Sequence, residues 1–249
     1  MQDISNPLSL MLRKLELHAF LPEEDRQAVL ALPHTMRTLE PQSYTVREGD
    51  PPLACVVLVS GFAYRQKITG DGGRQIVAIH IPGEPLDFQN LFLDVADHNV
   101  QTLTRAELAF IPREAIQRIA RERPHVAHAI LVATLVEASI FREWVLNVGR
   151  RDARARLAHV LCEFAVRLEA QGLASEYGYE LPMTQEQLAD SLGLTSVHVN
   201  RTLKLLESEG LIVRNKRNVA FPDWKRMRTV GDFNQRYLHL DRQRSGTPA

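Results

Sequence analysis

The chain has 249 residues, of which 45% are hydrophobic and 24% charged, and its 30 basic and 30 acidic residues cancel, so it is long enough for one large domain or two modest ones. No run of eighteen apolar residues is present to span a membrane, and the first residues lack the apolar core of a signal peptide, so we expect a cytoplasmic protein. Only Cys55 and Cys162 occur, which excludes a disulfide framework and a four-cysteine metal cluster.

The first part of the chain predicts helices followed by a β-domain. Residues 6–32 have a helical pattern, with acidic residues in the first turn of its second segment. Between Met36 and Ile111, short apolar runs alternate with turn signals, which is typical of an antiparallel barrel or sandwich. The sequence GDGG at residues 70–73 predicts a hairpin turn within this domain.

A long helical tract is predicted from Arg113 to Asn147, with a break at Pro124, where its second segment is expected to begin. Apolar residues recur in that segment at alternating steps of three and four, which is typical of a helix that packs on a similar helix. These residues are Val126, Ala129, Ala133, Val136 and Ile140. They predict a dimer interface, although a helix that lies on its own β-domain is the alternative, and apolar residues on several faces favour burial on both sides.

A hinge is predicted at residues 149–151, and a helix follows from about residue 152 to residue 171. Residues 181–221 then predict two helices joined by a tight turn. Thr184 and Gln187 have the spacing of a capping box, Gly193 permits a sharp turn, and Thr195 is a second N-cap candidate. This order and spacing are those of a DNA-reading helix-turn-helix.

The outward face of the second helix carries short polar and cationic side chains that fit a major groove. They are Ser196, Val197, Asn200, Arg201 and Lys204. Arg201 suits a bidentate contact to guanine, and Asn200 suits adenine or a phosphate. Two short strands around a basic turn follow and predict a wing, whose Arg214, Lys216 and Arg217 are available to phosphates.

Charge is distributed unevenly between the two parts. Residues 1–149 hold 14 basic and 18 acidic residues, a net charge of −4, whereas residues 150–249 hold 16 and 12, a net charge of +4. This asymmetry fits a nucleic-acid module joined to a sensor or partner module. A polar helical tail is predicted at residues 223–240, and residues 242–249 are expected to be frayed.

This order of elements resembles the Crp/Fnr family of bacterial transcription regulators. The segment TQEQLADSLGLTSVHVNRTLKLLESEGLI carries the resemblance most specifically, and SGFAYRQKIT and IPGEPLDFQN add to it, so that it covers nearly the whole chain. It implies an α+β fold with a β-roll like that of cyclic-nucleotide-binding domains (a jelly roll, residues 1–112), a dimerisation helix (113–148) and a winged helix-turn-helix (149–249). It also implies a homodimer whose recognition helices enter successive major grooves of a near-palindromic site in double-stranded DNA, with RNA polymerase as a further partner.

The family's base contacts come from the second, third, sixth and seventh positions of the recognition helix. In this sequence those positions are Ser196, Val197, Asn200 and Arg201. Many members have a glutamate at the position of Val197, which accepts from cytosine, whereas valine can only touch a thymine methyl, so a different half-site is expected. Contacts with phosphates are expected from Thr184, Gln185, Thr195, His198, Lys204, Arg214 and Lys216, with simple packing as the alternative for His198.

The resemblance also implies an effector pocket in the β-roll, and its residues are Gly83, Glu84, Leu86, Asp87 and Val100. Cyclic-nucleotide binders follow Gly-Glu with an Arg-Ser pair, which VADHNVQTLT lacks. A buried cyclic phosphate would therefore have no cationic partner, and cyclic AMP is not expected as the small-molecule effector.

No cofactor is identified. Two cysteines exclude the four-cysteine iron–sulfur cluster of oxygen-sensing members. Haem-binding relatives exist, and candidate ligands are the histidines at positions 18, 34, 80, 98, 125 and 128. Lone histidines are far more often surface or satisfied core residues, so haem is disfavoured.

Two further interpretations stay open. The β-roll is a scaffold without a ligand in the first, and in the second it is an enzyme with the winged helix as a protein-interaction module. A P-loop, a Ser-His-Asp spacing and an HExxH motif are all absent from the sequence. Glu84 and Asp87 are more readily loop charges or acceptors for ligand hydroxyls than an acid/base pair, so we do not expect an enzyme.

Overall fold

The structure, a computed structural model, describes residues 6–174 and 178–240. Within these ranges the chain has an α+β fold of eight α-helices and ten strands. The helices are α1 (Ser9–Glu16), α2 (Glu23–Leu30), α3 (Arg113–Glu122), α4 (Pro124–Arg150), α5 (Ala153–Ala170), α6 (Gln185–Leu192), α7 (Ser196–Ser208) and α8 (Trp224–Val230). The strands are β1 (Thr35–Leu39), β2 (Tyr44–Val46), β3 (Ala54–Ser60), β4 (Ala63–Ile68), β5 (Arg74–His80), β6 (Asn99–Thr102), β7 (Ala106–Pro112), β8 (Tyr179–Glu180), β9 (Val213–Asn215) and β10 (Asn218–Ala220).

The described residues form two compact units. Among these residues, the first unit is drawn from 6–67, 78–138 and 239–240, and the second from 68–77, 139–174 and 178–238. The division between the units falls inside α4, so the three-part division expected at residues 112 and 148 stays a prediction. No helix within the described ranges is long and apolar enough to cross a membrane.

The β-roll that the strand pattern predicted is present, and all of it except residues 68–77 belongs to the first unit. Its strands form two antiparallel sheets, in the orders β1-β7-β3 and β2-β6-β4-β5. Successive side chains of a strand point to opposite faces, and β3 follows this rule closely. Val56 and Leu58 join one hydrophobic cluster with Leu108, whereas Cys55 and Val57 join a second cluster with α1, α3 and the start of α4. Both faces of β3 are therefore buried.

The hairpin turn predicted at residues 70–73 connects β4 to β5 and is confirmed. The amide of Thr69 donates to the carbonyl of Gly73 at 2.8 Å, and the amide of Gly72 donates back to the carbonyl of Thr69 at 2.9 Å. Gly72 has a φ of +88°, a conformation that residues with a side chain rarely adopt, which explains why glycine occupies this position.

The break predicted at Pro124 is confirmed, but the predicted hinge is displaced. Arg123 is extended, as residues before proline tend to be, and α4 begins at Pro124. However, α4 continues through Gly149 and ends at Arg150, so the hinge expected at residues 149–151 is wrong in its first two residues. One glycine costs only about 1 kcal/mol in a helix. The actual boundary is set by Asp152, whose side chain accepts from the amide of Ala155 at 2.8 Å and caps α5.

The α4 residues predicted to form the dimer interface mostly face the protein's own core. Val126 and Ala129 are almost fully buried in the second hydrophobic cluster, and Ala133 packs against it. Val136 is 5% exposed and Ile140 is half-buried. The prediction that Val126 and Ala129 form the dimer interface is therefore wrong, because a side chain already enclosed by its own chain has no surface to offer to a partner. Apolar residues that recur at steps of three and four fit a helix packed on a sheet as well as a helix packed on another helix.

Other apolar side chains of α4 are exposed instead. In the first unit, Leu131 and Leu135, one helical turn apart, are each 57% exposed. In the second unit, Val145 is 71% exposed and Leu146 is 43% exposed. Exposed leucines one turn apart are the feature that a partner helix would cover.

In the second unit, α5 is buried along most of its length and centres on the carboxylate of Glu163. That carboxylate accepts from the indole nitrogen of Trp144 at 3.1 Å, from the hydroxyl of Tyr237 at 2.8 Å and from Arg167 at 3.1 Å. Three donors, one of them charged, compensate the loss of water around a side chain that is 2% exposed. The end of α4 and the tail are thereby tied to α5.

The tail predicted to be polar contributes to this core. Phe233 and Leu238 are buried, and the ring of Phe233 packs edge-on against that of His159 of α5. The helical content of the tail is α8 and a 3-10 turn at Gln235–Leu238. The prediction for residues 242–249 lies outside the described residues.

Candidate nucleic-acid interface

The first helix of the predicted helix-turn-helix, α6, begins with the expected capping box. The hydroxyl of Thr184 accepts from the amide of Gln187 at 3.2 Å, and the side-chain oxygen of Gln187 accepts from the amide of Thr184 at 2.8 Å. Two amides that the helix itself leaves unpaired are satisfied, an arrangement that stabilises a helix by about 1 kcal/mol. The inward face of α6 is formed by Leu188 and Ala189, which are both buried.

The turn between the helices follows the predicted pattern. Gly193 adopts a left-handed conformation with φ +63°, and the amide of Leu194 donates to the carbonyl of Ala189 at 3.0 Å, which closes α6. Thr195 then caps α7 by accepting from the amide of His198 at 3.2 Å. Val199 is fully buried beneath the turn, so it fixes the packing of α7 against α6.

The opposite face of α7 is open to solvent and carries most of the predicted base-contacting residues. Ser196, Val197 and Arg201 are exposed, with Val197 at 79%, and Lys204 lies one turn further on. Neither cation forms an ion pair with a carboxylate of the described residues. Asn200 and His198 are half-buried at the edges of this face. We call Ser196, Val197, Asn200, Arg201 and Lys204 the reading face.

One contact on the reading face was not anticipated from the sequence. The side-chain nitrogen of Asn200 donates to the side-chain oxygen of Gln185, the first residue of α6, at 3.0 Å. Gln185 was predicted to bind a phosphate, but the structure brings its side chain to a predicted base-contacting residue. The two residues are fifteen positions apart, and only the crossing of the two helices brings them together.

The wing forms as predicted, with one additional strand. Strands β9 and β10 pair, and β8 adds to β10 as a third strand. Lys216 occupies the turn with φ +56°, and both it and Arg217 are exposed and form no ion pair within the described residues. These two cations remain available to phosphates.

Arg214 of the wing is paired within the chain. Its guanidinium binds the carboxylate of Glu207 of α7 through two hydrogen bonds of 2.8 Å each, and these hold the pKa of Glu207 below its usual value. A bidentate pair of this kind fixes the side chain in one orientation. Arg214 therefore braces the wing against α7, and its contact with a phosphate stays a prediction.

The residues predicted to line an effector pocket are two apolar residues of the core, one glycine and two buried acidic residues. Leu86 and Val100 are fully buried in the hydrophobic cluster of the roll, and their assignment to an effector pocket stays a prediction. Gly83 has φ +92°, and a side chain there would meet the backbone of Leu10. The two acidic residues, Glu84 and Asp87, are also buried.

Both acidic residues have partners within the chain. Lys14 of α1 binds the carboxylate of Glu84 at 2.9 Å. Asp87 accepts from the amide of Val56 at 3.2 Å, and burial raises the pKa of its carboxyl to about 7. The negative charge of Glu84 is thereby balanced inside the protein.

A buried cation that the sequence analysis missed lies in the same region. Arg65 of β4 binds the carboxylate of Glu137 of α4 at 2.6 Å and donates to the carbonyl of Leu86. Arg65 precedes Gly83 and Glu84 in the sequence, whereas the Arg-Ser pair of cyclic-nucleotide binders follows them. The only available signal was a charged residue within the strand AYRQKI, where it reads equally well as an exposed position.

Two of the candidate haem histidines, His18 and His98, have separate partners within their own chain. His98 contacts the carboxylate of Asp97 at 2.6 Å, His18 contacts the carbonyl of His239 at 3.3 Å, and burial lowers the pKa of both imidazoles, that of His18 to about 4. Across residues 6–174 and 178–240, no cluster of three histidine, cysteine or carboxylate side chains is suited to hold a metal ion. The expectation that haem is absent stays a prediction.

Comparison with known proteins yields two domain matches and a set of related regulators. Residues 155–230 match the Crp-like helix-turn-helix domain, and residues 36–123 match the cyclic nucleotide-binding domain. The chain is 29% identical over 195 residues to the transcriptional activator protein FnrL of Cereibacter sphaeroides, covering 77% of this chain and 78% of FnrL. It is 29% identical over 185 residues to the nitrogen fixation regulation protein FixK of Azorhizobium caulinodans, covering 73% and 74% of the two chains.

Among solved structures, FixK2 from Bradyrhizobium japonicum has the same fold. The two superimpose with a TM-score of 0.73 and 24% sequence identity, covering 80% of this chain and 98% of FixK2. The similarity supports the arrangement of β-roll, helices and C-terminal helix-turn-helix described above. The relatives named here are transcription regulators, a class of protein without catalytic activity.

Proposed function

The chain belongs to the Crp/Fnr family of transcription regulators, and we propose that it acts as a homodimer that recognises a near-palindromic DNA site through its paired α7 helices. In this proposal α4 supplies the dimer contact, and the β-roll receives the signal. RNA polymerase is the expected partner of the DNA-bound protein, because the relatives are activators.

The reading face of α7 is the observation that carries the proposal. Arg201 and Lys204 are cationic and have no carboxylate partner within the described residues, and Val197 is 79% exposed in the first turn of α7, whose start is capped by Thr195. The open face of α7 thus presents these two cations and one exposed apolar side chain next to the turn of the helix-turn-helix. A major groove offers phosphates, guanine edges and thymine methyls to those side chains.

The dimer contact is best supported by the exposed leucines of α4. Leu131 and Leu135 replace the predicted seam of Val126 and Ala129, because the latter two are used up in the core. Burying two leucines that are each half exposed contributes on the order of 1–2 kcal/mol per side chain and subunit. A symmetric pair of helices doubles that contribution.

A selection experiment tests the proposal. The purified full chain is mixed with a randomised duplex library without added ligand, and bound duplexes are sequenced. Enrichment of a motif with two inverted half-sites, about one helical turn apart, is expected. Failure to enrich any motif, both alone and with cell extract added, contradicts the proposal.

The scaffold interpretation of the β-roll has its own supporting observation. Glu84 is paired with Lys14, and Arg65 is paired with Glu137, so these two buried charged groups of the roll already have partners within the chain. A ligand that used Glu84 or Arg65 as its counter-charge would compete with one of these pairs. The enzyme interpretation fits less well, since Glu84 is fixed by its lysine and the relatives are regulators.

Thermal unfolding separates sensor from scaffold. A ligand that binds only the folded protein raises the midpoint with the logarithm of its concentration. We expect no shift with cyclic AMP at millimolar concentration, and a shift with another metabolite would favour the sensor. A clear shift with cyclic AMP would contradict the account of the paired charges.

A further inference from the structure

The hydrogen bond between Gln185 and Asn200 places a residue of α6 in control of a side chain on the reading face. The donor is the side-chain nitrogen of Asn200, the acceptor is the side-chain oxygen of Gln185, and the two are 3.0 Å apart. Both residues are half-buried, which protects the bond from full competition by water. The contact lies at the junction of α6 and α7, where a base edge would approach.

The backbones on both sides of this bond are fixed. Gln185 follows directly on Thr184, whose capping box sets the start of α6. Asn200 follows Val199, which is fully buried. Because neither backbone has freedom to shift, the hydrogen bond determines the orientation of the two amide planes rather than the position of the helices.

Each amide keeps groups that are free for an external partner. Asn200 retains its carbonyl oxygen and its second N–H, and Gln185 retains its NH2 group, since the described residues supply no partner for them. The asparagine amide can exchange the places of its oxygen and nitrogen only if the Gln185 amide turns over at the same time, so the orientations of the two amides are coupled in the order that the structure shows.

We propose, on the basis of the function proposed above, that Gln185 is a positioning residue that sets the base preference of Asn200. The bond presents an N–H and a carbonyl oxygen in a fixed order. Adenine matches this order with its N7 acceptor and N6 donor, whereas guanine offers two acceptors at the same edge. An unheld asparagine rotates and accommodates either purine.

This assignment differs in a measurable way from the role of a phosphate contact. A phosphate contact carries no sequence information, so its loss weakens binding to all sequences alike. Loss of a positioning residue weakens the discrimination between bases at one position. Base preference at that position therefore separates the two roles.

The test is a set of parallel selections from one randomised duplex library with the full-length wild type and with Gln185→Ala, Asn200→Ala and the double variant. Gln185→Ala is expected to reduce the preference at the position read by Asn200 by about 2- to 10-fold, the effect of one hydrogen bond. Asn200→Ala is expected to reduce it at least as much. The double variant is expected to match Asn200→Ala, because the two residues act as a unit.

Gln185→Glu provides a second readout. A carboxylate still accepts from Asn200, so the base preference is expected to stay within about 2-fold of the wild type. Its negative charge lowers affinity for all duplexes, and more so at low salt. Gln27→Ala, at an exposed glutamine of α2, is the matched control and is expected to change neither preference nor affinity.

Three outcomes overturn the proposal. The first is a uniform loss of affinity in Gln185→Ala with an unchanged preference. The second is a loss of preference in Gln185→Glu equal to that in Gln185→Ala, and the third is an Asn200→Ala variant with the preferences of the wild type. Failure of the proposed function is distinct from all three, because the wild type itself would then enrich no motif. Thermal unfolding of each variant excludes loss of the fold as the cause.

Discussion

Val197 is the residue that most distinguishes the reading face. It is 79% exposed in the first turn of α7. A valine has no hydrogen-bonding atom, so it reads a thymine methyl and leaves the exocyclic amine of a cytosine unpaired. We therefore expect the half-site to differ from those read by a glutamate at this position.

Val197→Glu is expected to change that preference. The new carboxylate accepts from the amine of cytosine, and a shift in the selected motif toward a C·G pair at one position per half-site is predicted, worth about 1–3 kcal/mol of discrimination. Val197→Gln is the matched control, since it has the same length without the charge. An unchanged motif in Val197→Glu would show that this residue does not face the bases.

Asp87 makes the stability of the folded β-roll depend on pH. Burial raises the pKa of its carboxyl from 3.8 to about 7 in the folded protein, so the folded state holds a proton that the unfolded state releases between those values. A raised pKa in an acid makes the folded state more stable at low pH. The stabilising contribution of the protonated Asp87 carboxyl to the free energy of unfolding is fully present below about pH 4 and is lost as the pH rises to about 7.

The measurement is the free energy of unfolding of the wild type minus that of Asp87→Asn, followed from pH 4 to pH 7. The difference is expected to fall with rising pH by at most about 1.4 kcal/mol per pH unit, which is the effect of one proton. Asparagine retains an oxygen that accepts from the amide of Val56. Taking the difference removes the opposite contribution of His80 and His98, whose pKa values are lowered by burial. A constant or rising difference would contradict the raised pKa.

At the scale of elements, α4 has one apolar face that is buried in the core and another that is exposed. Its sequence is apolar on several faces, and the structure assigns the face of Val126 and Ala129 to the core while Leu131 and Leu135 stay exposed. The proposal that α4 forms the dimer contact therefore rests on the second pair. Substitutions on the two faces are expected to have different consequences.

Leu135→Glu is expected to shift the protein from dimer to monomer, because a carboxylate in an apolar seam loses its hydration without gaining a partner. Sedimentation velocity measures this change directly. Leu53→Glu, at another exposed leucine outside α4, is the matched control and is expected to leave the dimer intact. Val126→Ala is expected to lower the thermal midpoint without changing the oligomeric state. A dimer unaffected by Leu135→Glu would move the interface away from this face.

Local signals in the sequence were sufficient to predict much of the helix-turn-helix and of the β-roll. The capping box of Thr184 and Gln187, the turn at Gly193 and the helix start at Pro124 depend on neighbouring residues, so spacing alone predicts them. The pairs Arg214–Glu207 and Asn200–Gln185 depend on how elements cross, which spacing does not specify. The same limit applies to the facing of α4, because a heptad-like pattern fits a partner helix and a sheet equally well.

At the scale of the whole molecule, charge is arranged for an anionic partner. The chain is neutral overall, but its last hundred residues carry a net charge of +4. Within the described residues, the cations of the helix-turn-helix and wing without a carboxylate partner are Arg201, Lys204, Lys216 and Arg217. When such cations bind phosphates, counterions that were condensed on the DNA are released. The affinity of the protein for DNA is therefore expected to fall as the salt concentration rises.

Recognition of guanine by Arg201 is the central claim, and one measurement tests it most directly. The affinities of the wild type and Arg201→Ala are compared on the selected duplex and on the same duplex with 7-deazaguanine at the enriched guanine. The wild type is predicted to lose roughly 1–3 kcal/mol on the modified duplex, because the N7 acceptor of a bidentate contact is gone. Arg201→Ala is predicted to bind both duplexes equally weakly, whereas Arg118→Ala, an exposed arginine of α3, behaves as the wild type. A wild type that binds both duplexes alike, or an Arg201→Ala variant that remains sensitive to the modification, would contradict the account.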